Sequence, residues 1–506
     1  MSKPIDKAIE CDNKRPKDDL KMLVHSAIGL SFMLLFPLLP PFEPITPVGM
    51  HILGIFIGMV YLWSALNSIW PSIFGIVLMG LSGITGAEGY AGIKLAALDA
   101  FGAETILIVM LSMILFGAIE YVGCTDYLAR WFLTRKIING RPYMFIFVFF
   151  LASFVLSGLT SPIASLLIFW PISVQFMAEF GIEKCDKAYP VFIIGVYLSA
   201  AVAQPMFPFK GAALIVTGAF TKITQIEVNY LAYVLLNIIM SLVMLLAYML
   251  WIRFVIRPDL SSLKHIHTDH FKKTPLPPMN LQQKLLLCFM FIYVLLLLAP
   301  SFLPASIPGI ALLKKLGTFG VTVVCITILM IFPINGKPAL PFKAVAAKNF
   351  SWDVYFLVAA AVYGANAVSN DATGIKPFLI QLLQPLLGGR TQLLFLFLIM
   401  GFALLIANFA NHAGMAVVLL PIILAFADQY PGIDKVGISM TVCMMVFVAL
   451  LTPAASPYAG MMHARKDLIS FADILKIGIP LCLMALVLYV VIGYPLAAFL
   501  FGHLGA

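Results

Sequence analysis

Apolar runs of about 20 residues recur from Lys21 to the C-terminal end, the length an α-helix needs to cross the hydrocarbon core of a bilayer. Helices that are apolar all round belong in a membrane or in the core of a very large protein. Of 506 residues, 62% are hydrophobic and only 11% charged. The expected fold class is an all-α polytopic membrane protein of about 11 transmembrane helices plus two re-entrant hairpins. The expected spans are about 22–41, 48–67, 70–87, 101–123, 188–220, 230–256, 284–303, 313–333, 350–369, 434–462 and 473–501.

The segments 142–180 and 391–427 differ from these spans. Each is interrupted at its middle by small and polar residues, "SGLTSPIAS" and "ANFANHAGM", and has charged loops at both ends. That pattern fits a hairpin that enters and leaves on one side, its tip buried in protein or lining a cavity. A pair of full crossings is the rival reading.

Charge placement fits a cytoplasmic tail with two hairpins. With the N-terminal tail inside, 24 of the 32 Lys and Arg fall in cytoplasmic segments and 7 in external ones, as the positive-inside rule requires. The formal charge of +9 therefore lies in short loops, which argues against a nucleic-acid partner. Seven scattered cysteines without C-x-x-C spacing indicate packing, with neither a disulfide framework nor a zinc site. The tail "MSKPIDKAIECDNKRPKDDLK" is too charged for a signal-peptide n-region and is expected to stay, on the cytoplasmic side. The abundance of Phe and Met is read as bilayer-facing packing.

Self-similarity divides the chain in two. "FGAETILIVMLSMILFGA" from Phe101 aligns with "FSWDVYFLVAAAVYGANA" from Phe350, and "NGRPYMFIFVFF" from Asn139 with "GGRTQLLFLFLI" from Gly388. "TSPIASLLIFWP" from Thr160 aligns with "ANHAGMAVVLLP" from Ala410, and "AQPMFPFKGAAL" from Ala203 with "LTPAASPYAGMM" from Leu451. The offsets stay between 248 and 250. Five crossings separate the two starts, so the second half inserts upside down, as in secondary transporters whose site lies at the midplane. The expected organisation is a cytoplasmic tail 1–21, scaffold helices 22–67, repeat 1 over 68–256, a cytoplasmic loop 257–283, a linking helix 284–312 and repeat 2 over 313–506.

Four interruptions should meet at that midplane: the two hairpin tips and the breaks within 188–220 and 434–462. Pro205 and Pro208 break the first long segment, and Pro453 and Pro457 the second, by removing backbone donors. Helix N-termini created there favour an anion. The candidate substrate-binding residues are Thr160, Ser161 and Ser165 at the first tip, Gln204 and Lys210 in the first break, Asn408, Asn411 and His412 at the second tip, and Thr452 and Ser456 in the second break. A lone cation at bilayer depth costs roughly 2.5–3.5 kcal/mol, and no Asp or Glu lies near Lys210 in sequence or in the aligned half. A substrate carboxylate is its expected partner. Glu120 is read as interfacial, and "DYLARWFLTRKI" from Asp126 as an amphipathic helix on the membrane surface. No phosphate-binding glycine loop, H-E-x-x-H or G-x-S-x-G occurs, which argues against an ATP-driven pump and common intramembrane hydrolases.

The helix "FSWDVYFLVAAAVYGANAVSNDATGI" and the hairpin ends "LLIFWP" and "VVLLP" resemble the divalent anion/sodium symporter family, the solute carrier 13 group within the ion transporter superfamily. The resemblance spans nearly the whole chain past about residue 45. It implies carboxylate substrates, a homodimer with scaffold and transport domains, and elevator-like motion. In that family the tips carry Ser-Asn-Thr. Here Ser161-Pro162-Ile163 and Asn411-His412-Ala413 take those positions, so only Ser161 is kept.

That departure argues against sodium coupling. Lys210 beside one tip and His412 at the other would supply the positive charge sodium otherwise brings, and fixed cations favour exchange. The expectation is a sodium-independent dicarboxylate or related organic-anion exchanger in the cell membrane, without a cofactor. Its partners are a small organic anion, the bilayer and a second copy of itself. Sodium-coupled symport, proton coupling through His412 and a membrane-embedded enzyme are the alternatives.

Overall fold

The computed structural model describes residues 16–265 and 277–504. In chain order it begins with α1 (Pro16–Leu35), α2 (Pro47–Ala65), α3 (Ile69–Leu81), α4 (Gly89–Phe101), α5 (Glu104–Tyr121) and α6 (Cys124–Leu133). Next come α7 (Pro142–Leu159), α8 (Pro162–Glu179), α9 (Ala188–Ala203), α10 (Gly211–Thr224), α11 (Tyr230–Trp251) and α12 (Leu281–Leu298). The rest is α13 (Pro308–Ile331), α14 (Phe342–Asn349), α15 (Trp352–Ser369), α16 (Ile375–Leu387), α17 (Gln392–Phe409), α18 (His412–Ala427), α19 (Lys435–Val446), α20 (Pro457–Ala464), α21 (Phe471–Leu488) and α22 (Tyr494–Leu504). Two-residue strands at Pro333–Ile334 and Lys337–Pro338 pair antiparallel. Ten helices among the described residues are long and apolar enough to cross a membrane. The chain is an all-α polytopic membrane protein.

Both interrupted segments are helical hairpins with two-residue tips. Residues Thr160 and Ser161 join α7 to α8, and Ala410 and Asn411 join α17 to α18. The tips are sharp because each second helix starts with a local cap. Ser161 Oγ accepts from the Ala164 N–H at 3.1 Å, with Pro162 as the first helical residue. Asn411 Oδ1 accepts from the N–H groups of Ala413 and Gly414 at 3.1 and 3.2 Å. Such caps satisfy amide donors that a helix start leaves unpaired.

Both long broken segments are also interrupted where the prolines fall, between α9 and α10 at 204–210 and between α19 and α20 at 447–456. Hairpin α7–α8 is bolted to α9 by polar contacts. Ser157 Oγ donates to the Ala200 carbonyl at 2.8 Å, Ser153 Oγ to the Val196 carbonyl at 3.3 Å, and Trp170 Nε1 to the Ile193 carbonyl at 3.1 Å.

Phenylalanines fill the space between these helices. Phe145, Phe149, Phe169, Phe176 and Phe192 are buried, and their rings meet edge to face at 4.8–5.2 Å in the pairs Phe145–Phe176, Phe149–Phe169 and Phe176–Phe192. Edge-to-face packing sets the positive ring edge against the negative face. The bilayer-facing reading of Phe and Met is corrected here, since Met50, Met59, Met240, Met244, Met440 and Met444 are also buried. These side chains pack helix against helix, while Leu and Ile dominate the exposed apolar belt.

Other expectations need correction. Helix α1 begins inside the expected tail 1–21, and α12 begins ahead of residue 284. Helices α4, α14 and α16 lie in segments read as loops, because Lys94, Asp99, Lys343, Lys348 and Lys376 interrupt their apolar character. Helix α13 is broken at Gly317, whose φ of +62° only glycine adopts without strain. The amphipathic helix expected from Asp126 is α6. Cys124, Cys325, Cys443 and Cys482 are buried, as packing requires, but Cys185 and Cys288 are exposed. Residues 1–15 and the part 266–276 of loop 257–283 lie outside the described residues.

Candidate functional site

Tips and breaks form one junction. At its first half, Lys210 is the N-cap residue of α10. Its ammonium donates to the Gly158 carbonyl at 2.7 Å and to the Ser157 carbonyl at 3.5 Å, and sits 4.6 Å from the centre of the Phe116 ring. Those carbonyls belong to the last turn of α7, where a helix leaves acceptors unpaired and concentrates negative partial charge. The aromatic face adds a further attraction for the cation. Lys210 is therefore partnered within the protein, by carbonyls and by the field of Glu120 on α5. Glu120 is half-buried, one turn beyond Phe116, with Lys348 and Asn349 also near it. An acidic group is thus brought near Lys210 from a helix distant in sequence, where the sequence around Lys210 and the aligned half hold none.

Other first-tip residues are mostly committed to the hairpin. Thr160 Oγ1 donates to the Leu156 carbonyl at 2.6 Å, and Ser165 is buried against Ser153 at 2.9 Å. Ser161 is partly exposed and caps α8. Pro205 and Pro208 are buried, and the Pro208 carbonyl accepts from Thr217 Oγ1 at 3.2 Å.

In the second half, His412 opens α18 and is buried. Its backbone N–H and ring Nδ1 both donate to the Ala455 carbonyl, at 2.9 and 2.5 Å. Its ring lies edge-on to Phe447 at 4.4 Å. Ring atom Nε2 is 3.2 Å from the Tyr458 hydroxyl and 3.4 Å from Gln204 Oε1. Tyr458 Oη donates to the same Gln204 oxygen at 2.7 Å. Gln204 from the first break thus meets the second tip through His412 and the second break through Tyr458.

Asn408 is spent inside the protein. Its Oδ1 accepts from the N–H groups of Leu450 and Leu451 at 3.0 and 2.9 Å, its Nδ2 donates to the Leu404 carbonyl at 2.8 Å, and its carbonyl accepts from Thr452 Oγ1. Ser456 caps α20 by accepting from the Ala459 N–H at 2.9 Å. Pro453 and Pro457 are exposed, and Pro457 is the first residue of α20. Among the described residues no group of three or more His, Cys, Asp or Glu is placed to hold a metal ion.

All ten candidate side chains lie on the tips and breaks or in the turns beside them, and Lys210, Gln204, Asn408, His412 and Thr452 carry contacts between elements. Tyr458, Tyr197, Phe116 and the Gly158 carbonyl were missed. Tyr197 Oη donates to the Ala449 carbonyl at 2.7 Å. Only Tyr458, inside the polar break "LTPAASPYAG", carried a local signal. Chemically the junction offers a cation, a histidine, small hydroxyls, amides and four helix N-termini, a set suited to an anion.

Comparison with curated proteins yields no match. The family model described as the sodium:sulfate symporter transmembrane region matches residues 20–502. That is the family the hairpin motifs resemble, and its extent takes in both hairpins, both breaks and every residue of the junction. The chain belongs to the sodium:sulfate symporter transmembrane family, and is an integral membrane protein of the anion-transporter class.

Proposed function

We propose that this protein is a sodium-independent exchanger of dicarboxylates or similar di- and tricarboxylates. The observation that carries the reading is the ammonium of Lys210 on the Gly158 and Ser157 carbonyls. Carbonyls at a helix C-terminus are ligands for a hard cation such as sodium, and here a side chain satisfies them permanently. His412 at the other tip donates to the Ala455 carbonyl of the second break. A carrier with built-in charge favours crossing with an anion bound, which is exchange.

The reading extends to the whole chain. The order long helix, short helix, hairpin, broken helix and final helix occurs from α5 to α11 and again from α15 to α22, which supports two repeats of opposite membrane topology. Re-entrant hairpins would then carry the anion in an elevator-type movement, within a homodimer in the cell membrane and with the N-terminal side in the cytoplasm. The sodium and sulfate in the family's description favour a second reading, sodium-coupled sulfate symport.

The test is uptake of labelled succinate or sulfate into proteoliposomes, empty or preloaded, with and without sodium. Exchange needs preloaded vesicles, ignores sodium and is lost in Lys210→Ala. Sodium-driven uptake into empty vesicles that survives Lys210→Ala would refute the proposal and establish symport.

A further inference from the structure

Breaking a helix strands backbone carbonyls, and in a dry interior each needs a donor. In the second break three side chains from three helices meet that need. Tyr197 donates to Ala449, His412 to Ala455, and His463, in the last turn of α20, donates from Nε2 to the Leu450 carbonyl at 3.0 Å. In a trans peptide the carbonyl of one residue and the N–H of the next point opposite ways. The 450–451 peptide is therefore clamped on both sides: its N–H by Asn408 Oδ1 at 2.9 Å and its carbonyl by His463. The first half of the molecule has a parallel. Thr217, seventh residue of α10 as His463 is seventh of α20, donates to the Pro208 carbonyl in the break before it.

We propose that His463 is a positioning residue for transport, fixing the 450–451 peptide and through it Asn408, Thr452 and the second tip. This inference rests on the transporter reading but not on which anion is carried. His463 is half-buried and touches no other part of the junction directly. The Phe471 ring lies 5.9 Å from its own. Without it the Leu450 carbonyl loses its partner and the peptide is free to turn, which releases Asn408 Oδ1 from its two N–H donors. The second tip then loses the preorganisation that a bound anion uses. The effect falls on substrate affinity, because the tip is disordered before the anion arrives.

Two measurements test this on the full chain. In proteoliposomes His463→Ala should raise KM about five- to tenfold with kcat within about twofold. His463→Gln, whose amide still reaches the carbonyl as a donor, should restore most of the affinity. Hydrogen exchange read on a peptide covering 447–456 needs no transported substrate. Protection of the Leu450 and Leu451 amides should fall in His463→Ala and return in His463→Gln. Unchanged exchange in His463→Ala, or equal loss of protection in both variants, overturns the assignment whatever anion proves to be carried. If protection changes as expected while wild type moves no anion, the clamp stands and the transporter reading fails.

Discussion

Tyr458 does more at the junction than its chemistry suggests. One hydroxyl joins Gln204, 254 residues away in sequence, to the turn that holds His412. Tyr458→Phe keeps the ring and removes that bond, so it should cost about 0.5–1.5 kcal/mol, read as a fall in Tm of the detergent-solubilised protein. Asn408→Ala should cost more, because it orphans the Leu450 and Leu451 N–H groups together. An unpaired buried donor costs about 1–3 kcal/mol, and the same thermal measurement ranks the two variants. If both melt like wild type, the network contributes no stability. These links were invisible in the sequence, since nothing in "LTPAASPYAG" names a partner across a repeat. Lys210 was legible as an anomaly because a cation in an apolar run is rare, but its carbonyl partners were not, because backbone atoms carry no sequence signal.

At the scale of elements, both hairpins could be read from interruption alone, and the caps explain why. Ser161 and Asn411 mark helix starts, and only two residues separate the paired helices at each tip. Helices α4 and α16 were missed for the opposite reason, since each has only 13 residues and one of them is a lysine. The α7–α9 contact is equally hidden, because it depends on one glycine. A methyl group at Gly195 would lie 2.0 Å from a carbon of the Phe150 ring, whereas one at Gly401 would approach nothing nearer than 3.4 Å. Gly195→Ala should therefore destabilise the protein by about 1–3 kcal/mol through overpacking. Gly401→Ala should be nearly neutral, and denaturation curves or Tm should separate them. Equal Tm values would mean that α7 and α9 adjust freely, against the packing described.

For the whole molecule the sharpest test is sidedness. Cys185 is exposed in the turn after α8, at the end of the hairpin far from its tip. The proposed topology puts that turn in the cytoplasm, so a membrane-impermeant maleimide should label Cys185 only from that face in oriented vesicles. Labelling from the outside would reverse the proposed orientation of the whole chain. The thiol donates to Glu183 Oε2 at 3.6 Å, and this bond with the neighbouring carboxylates raises its pKa above the ordinary thiol value. A raised pKa leaves less thiolate at neutral pH. The labelling rate should climb with pH and reach half-maximum later than for a free thiol, and Glu183→Gln should move that midpoint down.

The lysine that closes the end of α7 has a thermodynamic consequence. A dissolved cation has a concentration on each side of the membrane, and a carrier that binds it can draw work from the difference. A cation joined covalently to the chain has no such gradient. In a carrier of that design the outward run of one anion is the whole driving force for the inward run of another, so accumulation stops when their ratios across the membrane match.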